Sequence, residues 1–258
     1  MENALLVGLS RQVALSHELD IIANNIANID TTGFKADNAS FSEFLTPRAS
    51  DGDFSGSDKR VSFVQDRASW INLAPGAIER TGDPLNVAID GPGYLVEQTP
   101  NGQQRYTRNG ALSINGAGQL VTSDGNPMLG GSGPITFQQG DHDVSISPSG
   151  IITVREGTST ADSPRGQLQL VSFNQPSRLQ KDGGSTFMAP NGVTANPAPA
   201  NTHLLQGAIE KSNVNAVGEM ARMIEITRNY SDIAALLQQQ GDQRRNALQQ
   251  LSQTPASS

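Results

Sequence analysis

Three histidines are the first residues to weigh for chemistry, because imidazole is the side chain best suited to move protons or bind a metal near neutral pH. His17, His142 and His203 stand apart from one another, and none lies in the HExxH or His-rich spacing that holds zinc. Asp141–His142–Asp143 is the nearest approach to an acid–base or metal cluster. Adjacent side chains on a strand point to opposite faces, so this run is expected to be a solvated turn. Asp51 and Asp53 pair two carboxylates within a Ser-Asp-Gly tract too loosely constrained for acid catalysis. The glycines at Gly130, Gly131 and Gly133 are followed by Pro134 and lack the Lys and Ser/Thr of a phosphate cradle. No nucleophile elbow, P-loop or dinucleotide fingerprint occurs. The reading is therefore of a chain that is not an enzyme, with no catalytic, cofactor-binding or metal residues.

The side chains with the most to offer are amides. Asn24, Asn25 and Asn28 surround Ile26, although asparagine is a poor helix former because its amide competes for backbone hydrogen bonds. They sit in a helical pattern: Leu15, Leu19, Ile22, Ile26 and Ile29 are spaced 4, 3, 4, 3, one aliphatic stripe. Two readings stand side by side. Either this is a fraying helix end that Gly33 terminates as a C-cap, or the amides are placed to hydrogen-bond neighbouring chains while the isoleucines pack beside them.

The elements that must position these residues follow from periodicity. Residues 2 to about 30 form one amphipathic helix, roughly 40 Å long at 1.5 Å per residue, with Leu6, Leu9 and Val13 offset from the later stripe. From 36 to 70 the pattern dissolves; 49–59 reads as a mobile linker, whereas Phe41, Phe44, Phe63 and Trp70 suit an extended arm that packs on something else. Residues 71–206 carry short alternating runs closed by turn dipeptides, the pattern of an all-β domain. Asn101–Gly102 suits a type I′ hairpin, and turns are also expected at Asn109–Gly110, Asn115–Gly116, Asp124–Gly125 and Ser149–Gly150. From Gly207 the helical period returns. Ser212 or Asn213 could cap a helix starting near Val214, and Met223, Ile226, Tyr230, Ile233 and Leu237 are spaced 3, 4, 3, 4, a narrow coiled-coil seam. Val217, Met220 and Ile224 add a second apolar edge, Gly241 is a point for a kink, and the final SQTPASS is expected to be disordered.

Composition bounds the remaining possibilities. With 258 residues, 36% hydrophobic, 5% aromatic, 26 glycines and 14 prolines, the chain should be rich in turns and strand edges rather than dense core. A net charge of −7 and a pI near 4.9 argue against nucleic acid, which demands a basic face. No apolar run approaches the roughly 20 residues of a membrane span. Met1–Glu2 opens into the helical pattern without a basic n-region or cleavage site, so a cleaved secretory signal is not expected. The absence of cysteine fits either a reducing compartment or an exported protein without disulfides.

Three stretches together resemble a known family. ANNIAN followed by TTGFK (23–35) is similar to the N-terminal motif of the flagellar basal-body rod family, the axial proteins of rod and hook. AIEKSNVNAVGEMARMIEITRNY (208–230) resembles its C-terminal motif, and TGDPLNVAIDGPGYL (81–95) a central one. The opening residues are most similar to the F-type, proximal-rod branch, with the distal rod as the alternative. Position 86, usually aspartate in that family, is Asn86 here, which would remove any charge contact made there. The resemblance implies a mainly β central domain flanked by long N- and C-terminal α-helices that pair, an α+β elongated axial-protein architecture. It divides the chain into a core helix (1–35), an arm (36–70), an outer β domain (71–206) and a second core helix with tail (207–258). It also implies a structural rod subunit that self-assembles helically with copies of itself and other rod proteins to transmit torque from motor to hook. Export would run through the flagellar type III apparatus, without a cleaved signal, to the periplasmic basal body.

Under this reading Leu15, Leu19, Ile22 and Ile26 pack the first helix and Met223, Ile226, Tyr230, Ile233 and Leu237 the second, while Asn24, Asn25, Asn28, Thr32 and Gly33 shape the junction between subunits. A periplasmic β-rich cell-wall hydrolase and a soluble β binding module are the remaining readings; the first should clear peptidoglycan in zymography and the second should keep protease-resistant termini. Ile26→Asp is expected to abolish assembly while the β domain stays folded, because burying an unpaired charge costs several kcal/mol; normal swimming by that mutant would refute the placement.

Overall fold

The computed structural model describes residues 2–46 and 61–253. The expected linker 49–59 and the end of the tail, 254–258, lie outside the described residues. Two units result: a helical one of Met1–Ile26, Asp37–Trp70 and Asn215–Ser258, and a β unit of Ala27–Ala36 and Ile71–Val214. The chain thus enters and leaves the β unit twice. Residues 27–36 and 207–214 group with it by their contacts, whereas the helical period was expected to run to about 30 and to return from Gly207.

In the helical unit, helix α1 spans Glu2–Ala27 and helix α2 Ala216–Gln253. The stop at Ala27 comes earlier than the expected 30, because the chain turns at Asn28, whose carbonyl accepts the Thr31 N–H at 3.2 Å. Ile29, counted in the stripe, therefore lies beyond the helix. The cap of α2 is Asn215 rather than Ser212 or Asn213: its Oδ1 accepts the Gly218 N–H at 3.1 Å, satisfying one of the orphan donors of the first turn. The helix runs unbroken through Gly241. The two helices pair antiparallel. Gln12 Nε2 donates to Tyr230 Oη at 3.0 Å, Arg222 donates to Glu18 Oε1 at 2.9 and 2.6 Å, and a Cβ on Gly8 would meet Leu237 Cδ2 at 2.6 Å. Ala14, Ile22 and Ile226 are buried in this unit. The segment expected as an arm supplies the strands Asp37–Thr46 and Val61–Ile71, which form a two-stranded sheet.

The β unit is built on a six-stranded sheet in which Tyr94–Gln98 is flanked by Gln104–Thr107 on one side and Leu170–Ser172 on the other. Thr186–Met188 and Gln180–Lys181 extend it one way and Asn196–Pro197 the other. Side chains alternate across a strand, and here both faces are covered. Leu95 enters one core with Val87, Ile89, Leu120, Met128, Ile152 and Leu204, while Tyr94 and Val96 enter a second with Tyr106, Phe173 and Phe187. The rings of the second core meet edge to face, Tyr94 and Phe173 at 5.7 Å and Tyr106 and Phe173 at 4.8 Å, the arrangement that the ring quadrupoles favour. Four of the twelve aromatic residues of the chain thus meet in this one core.

Smaller antiparallel pairs close the unit. Val87–Asp90 pairs with His203–Gln206, Ile78–Arg80 with Ala208–Glu210, and Leu112–Ile114 with Leu120–Thr122. Asp141–Ile146, Ile151–Glu156 and Asp162–Gln167 make a three-stranded sheet. Two expected turns differ. In the hairpin after Gln98 only Gly102 has positive φ, so the turn is not type I′, which needs two such residues. Gly110 is not at a turn apex either: a Cβ there would lie 1.7 Å from the Val87 carbonyl oxygen, so the position is one of close backbone approach.

One carboxyl in this unit lacks a full set of partners. Glu97 is fully buried; its Oε1 accepts from Asn126 Nδ2 at 3.0 Å, and its Oε2 has no hydrogen bond. Burial pushes the Glu97 carboxyl above its ordinary value. The fold therefore favours the protonated form, and that contribution is complete below the ordinary carboxylate range and lost as pH rises through the raised value. Glu97→Gln is expected to stabilise the protein by about 1 kcal/mol at neutral pH, the scale of one unsatisfied buried group, and to lose that advantage near pH 4. Urea denaturation at the two pH values checks this, and an equal difference at both would show that the charge is not the cause.

Candidate functional site

The N-terminal motif ends by burying its last residues in the β unit. After Asn28 the chain makes a second turn, with the Phe34 N–H on the Thr31 carbonyl at 3.2 Å, and Gly33 sits at φ +72. A Cβ at Gly33 would stand 2.5 Å from the Asn109 nitrogen and 2.6 Å from the Arg108 carbonyl carbon, so both conformation and space exclude a side chain. Its N–H donates to the Glu210 carbonyl at 2.8 Å. Gly33 is thus a docking point rather than the C-cap of α1. Phe34, buried, lies under the Lys181 ammonium, 3.9 Å from the ring centroid, and that ammonium also donates to the Lys35 carbonyl at 2.7 Å.

Lys35 and Glu210 are fully buried, and Arg108 nearly so. Lys35 Nζ donates to Glu210 Oε1 at 2.5 Å and to the Ala74 carbonyl at 2.8 Å. The same Oε1 accepts the Gly76 N–H at 2.9 Å, and Oε2 accepts Arg108 Nε at 2.6 Å. Arg108 fills its other donors with backbone carbonyls: Gly91 at 3.2 Å and Gly93 at 2.8 Å on Nη1, and Ile89 at 3.1 Å on Nη2. One carboxylate is therefore shared by two buried cations, and the three residues come from three distant parts of the chain. Burial pulls the Lys35 ammonium below its ordinary value while the Glu210 charge opposes that shift.

The sequence reading missed this cluster. A single lysine, arginine and glutamate far apart carry no periodic signal, although Lys35 and Glu210 both stand inside motifs quoted above. Two asparagines complete the framework. Within the helical unit, Asn25 is buried and mimics a peptide, donating to the Asp37 carbonyl and accepting the Asp37 N–H, both at 2.9 Å. Within the β unit, Asn213 accepts the Ala36 N–H at 2.8 Å and donates to the carbonyls of Asn72 at 2.8 Å and Ala74 at 2.9 Å.

The residues expected at assembly contacts fall into distinct environments. Ile22, Asn25, Gly33 and Ile226 are buried within the chain. Leu15, Leu19, Ile26, Asn28, Thr32, Tyr230, Ile233 and Leu237 are half-buried, and Asn24 and Met223 are exposed. Asn28 accepts from the Thr31 hydroxyl at 3.1 Å. The expected second edge of α2 is exposed, with Val217 at 78%, Met220 at 52% and Ile224 at 56%, and so are Leu9 at 48% and Val13 at 62% on α1. Asn86 donates to Thr81 Oγ1 at 2.9 Å, a bond an aspartate could make only by accepting from that hydroxyl.

Asp141–His142–Asp143 is not a solvated turn but the start of a strand. Arg165 Nε and Nη2 donate to the two Asp141 oxygens, both at 2.6 Å, and Nη2 also reaches Glu156 Oε1 at 2.6 Å. The register explains it, since Asp141 pairs with Glu156 across the sheet and Arg165 lies on the next strand. The Arg165 guanidinium holds the Asp141 carboxyl below its usual range, and the guanidinium is itself raised by that bond. Among the described residues no group of three or more His, Asp or Glu side chains is placed to hold a metal, and no helix is long and apolar enough to cross a membrane.

Three family models match separate stretches of the chain. The family model described as flagella basal body rod protein matches residues 5–35, the one described as flagellar hook protein FlgE/F/G D1 domain matches 88–154, and the one described as flagellar basal body rod FlgEFG protein C-terminal matches 205–250. The chain is similar to the flagellar basal-body rod protein FlgF of Caulobacter vibrioides, with 35% identity over 252 residues, 97% of this chain and 98% of the relative. It is 31% identical to the FlgF of Mesorhizobium japonicum over 97% of this chain and 98% of the relative. To the FlgG of Caulobacter vibrioides it is 33% identical over 88% of this chain and 91% of the relative. Near-end-to-end similarity to these relatives shows that the chain belongs to the flagellar basal-body rod protein family, on its F-type branch.

Proposed function

We propose that this chain is a structural subunit of the flagellar rod, in its proximal part, that assembles helically with copies of itself and with other rod proteins and passes torque from motor to hook. The observation that carries this reading is the stripe Val217, Met220 and Ile224, which stays exposed on α2 although that helix is already paired with α1. An apolar stripe left over after the intrachain seam is closed is surface for another helix. Burying an aliphatic side chain of this size is worth about 1.5–3 kcal/mol, and a contact that repeats without closing builds a filament. Such a filament resists twist because rotating one subunit pulls several apolar seams out of register at once.

In this reading Leu15, Leu19, Ile22, Ile26, Ile226, Tyr230, Ile233 and Leu237 hold the helix pair. Met223, at the margin of the pair, joins the outer stripe, and Asn24, Asn25, Asn28, Thr32 and Gly33 set the path by which α1 leaves toward the β unit. The subunit reaches the periplasmic basal body through the flagellar type III apparatus without signal cleavage, and it works as a part, not as a catalyst.

Two measurements test this. Met220→Glu with Ile224→Glu is expected to abolish incorporation into rods while leaving thermal unfolding of the isolated subunit within about 0.5 kcal/mol, as for exposed positions; incorporation at wild-type level would remove the stripe from the interface. Quantitative mass spectrometry of purified hook–basal bodies should find the chain, with its N-terminal peptide intact, in a ratio comparable to the other proximal components. A high ratio would move it to the distal rod, and its absence would overturn the structural role.

A further inference from the structure

The β unit is discontinuous in sequence, and its closing strand Ala208–Glu210 is the last strand of the chain. That strand delivers the carboxylate that both Lys35 and Arg108 use. The other hydrogen bonds of the Arg108 guanidinium go to the backbone carbonyls of Ile89, Gly91 and Gly93, and the Tyr94 ring, 6.0 Å from its centre, is neutral. Carbonyl dipoles satisfy N–H donors but do not neutralise a charge. Packing Arg108 and Lys35 natively without Glu210 would therefore bury two like charges together, which folded proteins avoid. The hydrophobic core imposes no such order, because Leu204, the last residue of the larger cluster, precedes Glu210 in the chain.

We propose that Glu210 sets the order of folding: the β unit closes only around this carboxylate, so the C-terminal strand must dock before the Lys35 and Arg108 sites can form. Most of the chain would then stay uncommitted until its far end arrives, and the two motif ends would be joined in the rate-limiting step rather than after it. The buried ions act as a checkpoint on completeness, which a purely apolar contact at the same place would not provide. This holds for the isolated subunit and does not depend on the rod assignment.

The test is the folding and unfolding kinetics of the full-length chain, read by pulsed hydrogen exchange at the Leu95 and Val96 amides. The single tryptophan, Trp70, lies in the helical unit and would report on the wrong part. Glu210→Gln is expected to slow folding on the order of 100-fold and to change the unfolding rate less than about threefold, the signature of an interaction already made in the transition state. Faster unfolding with unchanged folding would overturn the proposal, because the carboxylate would then engage only after the barrier. The apolar variant Lys35→Met, Arg108→Met and Glu210→Leu separates charge from strand. It is expected to fold at least as fast as the natural chain, whether or not Glu210→Gln alone folds. Failure of this triple variant to regain the rate would show that strand docking rather than neutralisation is limiting, and would overturn the proposal as well.

Discussion

A buried charge must find its counter-charge, and in this protein that requirement ties the ends of the chain to its middle. Glu210 is held by Lys35, Arg108 and the Gly76 N–H, so the residues after α1, the residues before α2 and the main sheet meet at one carboxylate. Breaking such a cluster by removing one partner costs far more than replacing all three with apolar groups. The cluster fixes which backbone segments lie side by side, and the lack of space for a Cβ at Gly33 enforces the same registry by shape.

The main sheet shows a second consequence of burial. Because Tyr94–Gln98 is covered on both faces, its side chains serve an aliphatic core on one side and an aromatic core on the other. A strand in that position has no solvent face on which to place a charge, and Glu97 lies on it nevertheless. Its single amide partner leaves it half satisfied. By contrast, Asp141 is met by both nitrogens of an arginine fork, and its carboxyl is lowered rather than raised. The two acids shift in opposite directions for different causes, burial for Glu97 and the Arg165 hydrogen bonds for Asp141.

Much of the fold was legible in the sequence where a period or a steric rule carried it. The 4, 3, 4, 3 spacing in the first helix and the 3, 4, 3, 4 spacing in the second announced two helices with facing stripes, and the structure pairs them. Turns at Asp124–Gly125 and Ser149–Gly150 fall where glycine has positive φ. The errors came where a tertiary contact overrode a local signal. Asn28 starts a turn that ends α1, Asn215 caps α2 because it is free to do so while Asn213 binds three backbone groups, and Asp141 looked solvated because Arg165 is on another strand. The ion cluster was invisible for a related reason: isolated charged residues far apart in a chain look like surface until the fold brings them together.

The hydrogen bond from the Asn72 N–H to the Ala36 carbonyl, 2.8 Å long, means that the chain leaves the β unit and returns to it at adjacent points, with Asn213 bridging both. Everything from Asp37 to Trp70 is then an excursion whose two ends are already clamped. Doubling its length adds only about 0.6 kcal/mol of loop-closure entropy. This gives the fold a place for variation: a change of length between the two strands of the excursion leaves the residues of the clamp where they are. Relatives that differ in length have in this stretch a place to do so, and an affinity tag or fluorescent label grafted there should leave the β unit as it is.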